Sequence, residues 1–401
     1  MKNYIYRLKD ETGRSLYGFT EAEDKKELKR KLRGNKYYFV SAEEYDRKKI
    51  FKKRVNLDIL LIFTRRLTSL IESGIPILSA IHILWWQSED KTIQLVVGHM
   101  RDKLEQGKTI SEALDEFSNI FPDIYRAMVR VAEKAGGLVK ILRKLTLYLE
   151  NQKRVHTKTK MAALYPTIVM TAAILVLICM FVYVVPIFQK VLVRLDVKLP
   201  ALTLFVLKIS AVIRSRYFIL GIILLSIVVY FLLKMLRKRP RYSYYLDYYK
   251  LKIPYIGNIL HSIILSRFIH SLSILLSAGL PIIESFTVAK TTTNNCRMDA
   301  DIDELKDKLE QGNSLYDSFR GVKLFPVMLV EMIGAGEISG NLTKILESLA
   351  IHYDEEVDYN QSKMFTIVEP ILILFVGGIV LITLLAIYLP VFSIWQGLIA
   401  V

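Results

Sequence analysis

The chain has 401 residues, 52% of them hydrophobic and 23% charged, with 55 Lys and Arg against 39 Asp and Glu and a formal net charge of +16. A mean hydropathy of +0.31 beside an ordinary charged fraction excludes an evenly mixed soluble surface, so the two characters must be segregated along the chain. Two cysteines, Cys179 in an apolar run and Cys296 in a polar stretch, exclude a disulfide framework, and the basic balance suits nucleic acid or anionic lipid.

The opening MKNYIYRLKDETGRS has no apolar core of a signal peptide, so membrane entry is expected through internal segments. YIYRL and YGFT around Asp10–Gly13 predict a hairpin, DKKELKRKL a charged helix and YYFV a strand, making residues 1–52 a small α+β segment. Residues 53–160 read as a helical domain. Residues 161–189 carry no charge and form the first expected span, long enough for a bilayer of ~30 Å. An external loop, 190–216, leads to a second span, 217–236, whose core YFILGIILLSIVVYFLL lies between Arg216 and Lys234. A second helical domain, 237–364, precedes the third span, 365–392, and a short tail, 393–401. Lys153, Arg154, Lys158 and Lys160 precede span one, and Lys234, Arg237, Lys238, Arg239 and Arg241 follow span two. The positive-inside rule therefore puts both polar domains and the N-terminus in the cytoplasm, with the loop and the C-terminus outside. The run Arg237-Lys-Arg-Pro-Arg-Tyr-Ser-Tyr-Tyr, directly after a span, reads as a membrane anchor rather than a nucleic-acid site.

The two polar domains are copies of each other. LTSLIESGIPILSAI (67–81) matches LSILLSAGLPIIESF (272–286), and LEQGKTISEAL (104–114) matches LEQGNSLYDSF (309–319), both at a shift of 205. FPDIYRAMVRVAEKAGGLVKIL (121–142) matches FPVMLVEMIGAGEISGNLTKIL (325–346) at 204. The match enters the membrane: Tyr165-Pro166 aligns with Glu369-Pro370, and Val185-Pro186 with Leu389-Pro390. Gly74 and Gly279 suit the residue just past a helix, where φ is positive, and Pro76 and Pro281 suit the start of the next. Gly107 and Gly312 end another helix, after which Thr109-x-x-Glu112 and Ser314-x-x-Asp317 resemble capping boxes. The fold class is mainly α: two repeated bundles of about six short helices, three transmembrane helices and the N-terminal α+β segment. The helix beginning at 138 is expected to run unbroken into the membrane.

This order of elements resembles the type II secretion system protein F family, which includes the platform proteins of type IV pili. The resemblance rests on the SGxP turns, the LxxG element before a short helix, the FP segments followed by ExxG, the YP and EP pairs, and Leu199-Pro200-x-x-Thr203. It covers nearly the whole chain. One departure is Glu133-Lys-Ala-Gly136-Gly137 in copy one against Glu337-Ile-Ser-Gly340-Asn341 in copy two, which sets the copies apart as partner surfaces. The resemblance implies a non-enzymatic inner-membrane protein without cofactor. Its cytoplasmic domains would face a hexameric secretion ATPase and its spans pilin or pseudopilin subunits. Other inner-membrane assembly proteins, a second copy of the chain and the lipid bilayer would be further partners, with no direct nucleic-acid binding. Drawing a pilin helix from lipid costs roughly several kcal/mol or more of apolar burial. The chain has no phosphate-cradling Gly-rich loop followed by Lys-Ser/Thr, so a separate motor must do that work.

Several residues stay open between two roles. Glu133 and Glu337 either cap the Gly136 and Gly340 turns or touch the motor. Glu369, beside Pro370 at a span border, is either solvated or turned inward to a partner. Gly377-Gly378 either allows close helix packing or is incidental. The six histidines show no ligand spacing. The rival readings are a membrane transporter, which would place ionisable groups mid-span where spans one and two have none, and a membrane-bound processing component such as a prepilin peptidase. The latter needs paired carboxylates, and only Glu369 is available.

Overall fold

The computed structural model describes residues 2–11, 13–31, 38–44, 56–194, 200–237 and 239–399. They divide into two compact units, 1–156 with 263–354, and 157–262 with 355–401.

The first unit opens with strands β1 (Lys2–Lys9) and β2 (Ser15–Ala22), helix α1 (Lys25–Lys31) and strand β3 (Tyr38–Glu44). The sheet order is β2-β1-β3, antiparallel throughout. Alternation places Tyr4, Tyr6 and Leu8 on the buried face. Tyr6 is paired with Gly18, where a Cβ would come within 2.1 Å of the tyrosine ring, so only glycine fits there. The sheet docks on the first bundle: the Trp85 indole N–H donates to the Tyr17 carbonyl at 2.8 Å, and Gln94 accepts from the Tyr17 N–H at 3.1 Å.

Copy one follows as α2 (Leu57–Glu72), α3 (Ile77–Gln87), α4 (Lys91–Glu105), α5 (Ile110–Asp115), α6 (Asp123–Ala135) and the start of α7 (Leu138–Cys179). Copy two repeats them as α12 (Ile256–Ser277), α13 (Ile282–Lys290), α14 (Cys296–Glu310), α15 (Leu315–Phe319), α16 (Val327–Ile338) and the start of α17 (Leu342–Ile399). The cores are built at matching positions. Phe268, Phe286, Phe319 and Phe325 stack in copy two, with Phe319 and Phe325 4.8 Å apart. Copy one has Phe63, Ile81, Leu114 and Phe121 there, all buried, and adds Trp85 and Tyr125. Burying each such ring contributes roughly 1.5–3 kcal/mol, which stabilises each bundle about its own centre.

The second unit holds the rest of α7, a π-helical turn Met180–Val184, α8 (Val185–Arg194), α9 (Ala201–Arg214), α10 (Arg216–Arg237), α11 (Pro240–Lys252) and the rest of α17. Helices α7, α12 and α17 are long and apolar enough to cross a bilayer. In α12 that surface is spent on the bundle, because Leu265, Phe268, Ile269, Leu272 and Leu275 are buried. In α10 it is not: Leu220, Ile223, Leu224, Val228, Tyr230 and Phe231 are exposed. Its uncharged run, 217–233, rises ~26 Å at 1.5 Å each, near the short end of what crosses a bilayer. Among the described residues, α7, α10 and α17 thus carry long runs of exposed apolar side chains.

Helix α7 runs through Pro166 into the apolar segment without a break, as expected for the helix beginning at 138, and α17 does the same through Pro370. Three boundaries differ from the sequence reading. The expected loop at 190–216 is mostly helix α8 and helix α9, with 195–199 outside the described residues. The tail at 393–401 is helical to Ile399. Residues 237–262 group with the spans rather than with copy two. The N-terminal boundary at 52 and Leu199 lie outside the described residues.

Helix α9 exists because its polar side chains have a defined task. Pro186 and Pro390 carry no N–H, so each frees a carbonyl one turn earlier in its helix. Past the π turn, Val185 N–H bonds the Met180 carbonyl; the next bond in that register would need Pro186 and leaves Phe181 C=O free. In α17, Pro390 leaves Ala386 C=O free. Ser210 Oγ donates to Phe181 O at 2.6 Å and Thr203 Oγ1 to Ala386 O at 2.7 Å. The two donors lie two turns apart on one face of α9, with Val206 between them packing on Phe181, Val185 and Ala386. One helix thereby answers both proline-freed carbonyls, as backbone buried in apolar surroundings requires.

Candidate functional site

The repeated glycines occupy helix ends. Gly74, Gly107, Gly279, Gly312 and Gly340 have φ of 79, 81, 93, 88 and 66°. Each follows a helix in a Schellman pattern, for example Ile75 N–H to Leu70 O with Gly74 N–H to Ile71 O. Pro76 and Pro281 stand at the N-cap of α3 and α13. Thr109 and Glu112 make a complete capping box. Ser314 caps Asp317 N–H, but the aspartate, one methylene shorter, turns to the Ser314 hydroxyl instead of the backbone.

Glu133 and Glu337 do cap, but not the Gly136 and Gly340 turns. Glu133 reaches back 23 residues to accept from Ile110 N–H at 2.5 Å, and from Ser111 N–H and its hydroxyl. Glu337 accepts from Leu315 N–H at 2.7 Å and Tyr316 N–H at 3.0 Å. Each carboxylate therefore sits at the positive end of the short helix α5 or α15 and ties it to α6 or α16. The Gly136-Gly137 departure changes the turn (Gly136 has φ 80° and ψ 177°) and leaves the cap intact.

A second group of residues joins the copies. In the first unit, Asp354 of α17 accepts from Asn151 and Arg154 of α7, both at 3.0 Å, and from Ser266 at 2.7 Å, while His270 Nε2 lies 2.9 Å away. Burial pushes the Asp354 carboxyl up, but the His270, Ser266 and Asn151 hydrogen bonds and the His270 charge outweigh it and hold it below its ordinary value. The matching pair in copy one is an exposed Arg65–Glu150 bridge at 2.5 Å. In the second unit, Lys158 pairs with Asp358 at 2.5 Å, Gln361 donates to Thr159 at 2.8 Å, and Tyr165 OH donates to Glu369 at 3.2 Å. The partners are 200–204 residues apart, so α7 and α17 run parallel with equivalent positions of the two copies within one turn of each other.

Glu369 is therefore partnered, by the residue that occupies its own place in copy one. Pro370 beside it is exposed. No described atom lies within 4 Å of a Cβ placed on Gly377 or Gly378, so that pair is not a close contact among the described residues. Sequence reasoning missed the seam of Asn151, Arg154, Lys158, Asp354 and Asp358. The signal was present as the basic stretch before span one and the acidic stretch 200 residues later.

The family model described as type II secretion system (T2SS), protein F, matches residues 63–186 and 268–390, one match per copy. The type IV pilus assembly protein PilC of Thermus thermophilus is 30% identical over 402 residues, covering 98% of each chain. The protein of the same name from Myxococcus xanthus is 30% identical over 335 residues, 84% of this chain and 80% of that one. The type II secretion system protein F of Vibrio cholerae is 27% identical over 399 residues, 98% of each.

Proposed function

The chain belongs to the type II secretion system protein F family, and we propose that it is the inner-membrane platform of a type IV pilus or type II secretion machine. In that role it couples a cytoplasmic hexameric ATPase to the assembly of pilin or pseudopilin subunits. The observation that carries this reading is the continuity of α7 and α17. Each helix begins inside a bundle and runs on, unbroken, into exposed apolar surface of membrane length. A push on a bundle would then pass into the apolar segment along continuous helical backbone. Within each unit hydrogen bonds and ion pairs tie α7 to α17, so a displacement of one helix acts on the other.

The bundles and the N-terminal sheet lie in the cytoplasm, and α9 and the C-terminus outside. Helix α11 supports that assignment. It starts three residues after α10 ends, and Tyr242, Tyr245, Tyr249 and Ile253 form one exposed stripe beside Arg239 and Lys252. An aromatic stripe with flanking cations suits the cytoplasmic face of a bilayer. The ATPase meets the bundles, pilin helices and other inner-membrane assembly proteins meet α7, α10 and α17, and the chain acts as an oligomer without catalysis of its own.

Reporter fusions after Ile50, Thr203, Ala300 and Val401 should read cytoplasm, outside, cytoplasm, outside; a cytoplasmic signal at Thr203 refutes the topology. Deleting the gene should abolish surface fibres or secreted product while pilin precursor is still made. The purified chain should bind the cognate ATPase and hydrolyse no ATP alone. Normal fibre and secretion output in the deletion strain would refute the platform role.

A further inference from the structure

A cavity of about 420 Å³ opens in the first unit between the two copies. Copy one supplies Leu57 and Leu60 of α2, the connection from Ser118 to Asp123, and Tyr148 and Gln152 of α7; copy two supplies Arg267 of α12 and the turn Thr291–Asn294. Arg267 is an anomaly there. Its Nε is buried with no hydrogen-bond partner, and among the described residues no carboxylate lies within ion-pair distance of it. Burial of the guanidinium lowers its proton affinity, and the neighbouring Tyr148 only partly offsets this. A desolvated cation without a counter-charge is costly.

The fold does not require it. The equivalent position in copy one is Ile62, half exposed, so the same helix packs in the same bundle with an aliphatic residue at this place. The one carboxylate lining the cavity, Asp123, is held by Arg126. The lining also holds the polar side chains of Ser118, Asn119, Gln152, Thr291 and Asn294; Thr291 Oγ1 donates to the Val288 carbonyl. Asn294 closes the turn at φ 52°, a conformation asparagine tolerates, with its Nδ2 donating to the Thr292 carbonyl at 3.3 Å.

We propose that this cavity is a binding site for a phosphate-bearing small molecule, with Arg267 as the counter-charge. A guanidinium grips phosphate oxygens with two parallel N–H bonds. The volume falls in the ~300–1,000 Å³ range of small-ligand sites. Because the walls come from both copies, an occupant would bridge them and bias their packing, which makes the site a place for a soluble signal to act on the bundles. The inference stands independently of the platform role, since it needs only the fold.

The test is calorimetric titration of the full-length chain in detergent with inorganic phosphate, adenosine 5′-monophosphate and, as a carboxylate probe, citrate. One saturable site for the phosphate probes is expected, weakened at least tenfold by Arg267→Met and less by Arg267→Lys. Asn294→Asp places a carboxylate in the cavity. It should abolish phosphate binding and raise the thermal midpoint, a result a misfolded variant would not give. Absence of saturable binding by either phosphate probe, unchanged affinity in a folded Arg267→Met, or preference for citrate overturns the assignment.

Discussion

Replacing Thr203 by Val removes one hydroxyl and keeps the shape. Thr203 is 3% exposed, and its hydroxyl is donated to the Ala386 carbonyl at 2.7 Å. Pro390, four residues on, cannot supply the usual N–H. The variant therefore leaves a buried carbonyl without a donor, at about 1–3 kcal/mol by soluble precedent and nearer about 0.6–1.7 kcal/mol for hydroxyl bonds between membrane helices. A loss of about 1–2 kcal/mol is expected. The decisive comparison is a double-mutant cycle with Pro390→Ala, which restores an N–H in register with Ala386 O. In that background Thr203→Val should cost almost nothing, giving a coupling of about 1–2 kcal/mol. Ser210→Ala with Pro186→Ala forms the parallel cycle at Phe181. Reversible unfolding of the full chain in mixed micelles, followed by circular dichroism, measures both. An equal cost of Thr203→Val with and without Pro390 would show that the hydroxyl does something other than answer the proline.

Glu369→Gln should leave the protein inserted at its normal level but lower fibre or secretion output, and Tyr165→Phe should do the same to a smaller degree, because the two side chains share one hydrogen bond; full output from both returns Glu369 to a solvated border residue. Glu133→Gln and Glu337→Gln should each lower the thermal midpoint, by about 1 kcal/mol of cap stabilisation, whereas an unchanged midpoint with lost ATPase binding would assign them to partner contact. Asp354 is held below its ordinary value in the fold, so its contribution is fully present above the unfolded value of ~3.9 and disappears as pH falls through the lower folded value. Asp354→Asn should then flatten the acid limb of the stability curve below about pH 4; an unaltered limb would show that the seam carries no net charge–charge stabilisation.

Most of the bundle was legible because its information is local. Gly74 and Gly279 need positive φ, Pro76 and Pro281 need a free helix start, and Thr109 needs Glu112 three residues on; each is written within one turn of chain. The strands were legible for the same reason, through the alternation at Tyr4, Tyr6 and Leu8. Residues whose partners are far along the chain were not. Glu133 and Glu337 are recognisably repeated, but the N–H groups they cap lie 21–23 residues earlier, and only tertiary packing brings them together. Helix α9 reads as a loop in the sequence because Lys208 and Arg214 break its apolar run. Its spacing of Thr203, Val206 and Ser210 after Pro200 marks one buried face, yet that pattern acquires meaning only beside two prolines, one of them nearly 190 residues away.

The seam between α7 and α17 shows what duplication within one chain allows. When two identical helices pair in parallel, each residue faces its own copy, so a charge would meet a like charge. Here the stretch of α7 at the seam carries Lys153, Arg154, Lys158 and Lys160, and the neighbouring stretch of α17 carries Asp354, Glu355, Glu356 and Asp358. Arg154 meets Asp354 and Lys158 meets Asp358. Each bridge is partly exposed and adds little stability alone. Their arrangement decides pairing instead, because two copies of α17 brought together would set four carboxylates against four, and two of α7 would set ammonium and guanidinium groups against their own kind. The charge division thus directs copy one to copy two rather than to its own kind. Sites that identity would have kept equal are then free to differ, as Tyr165 does from Glu369 and Ile62 from Arg267.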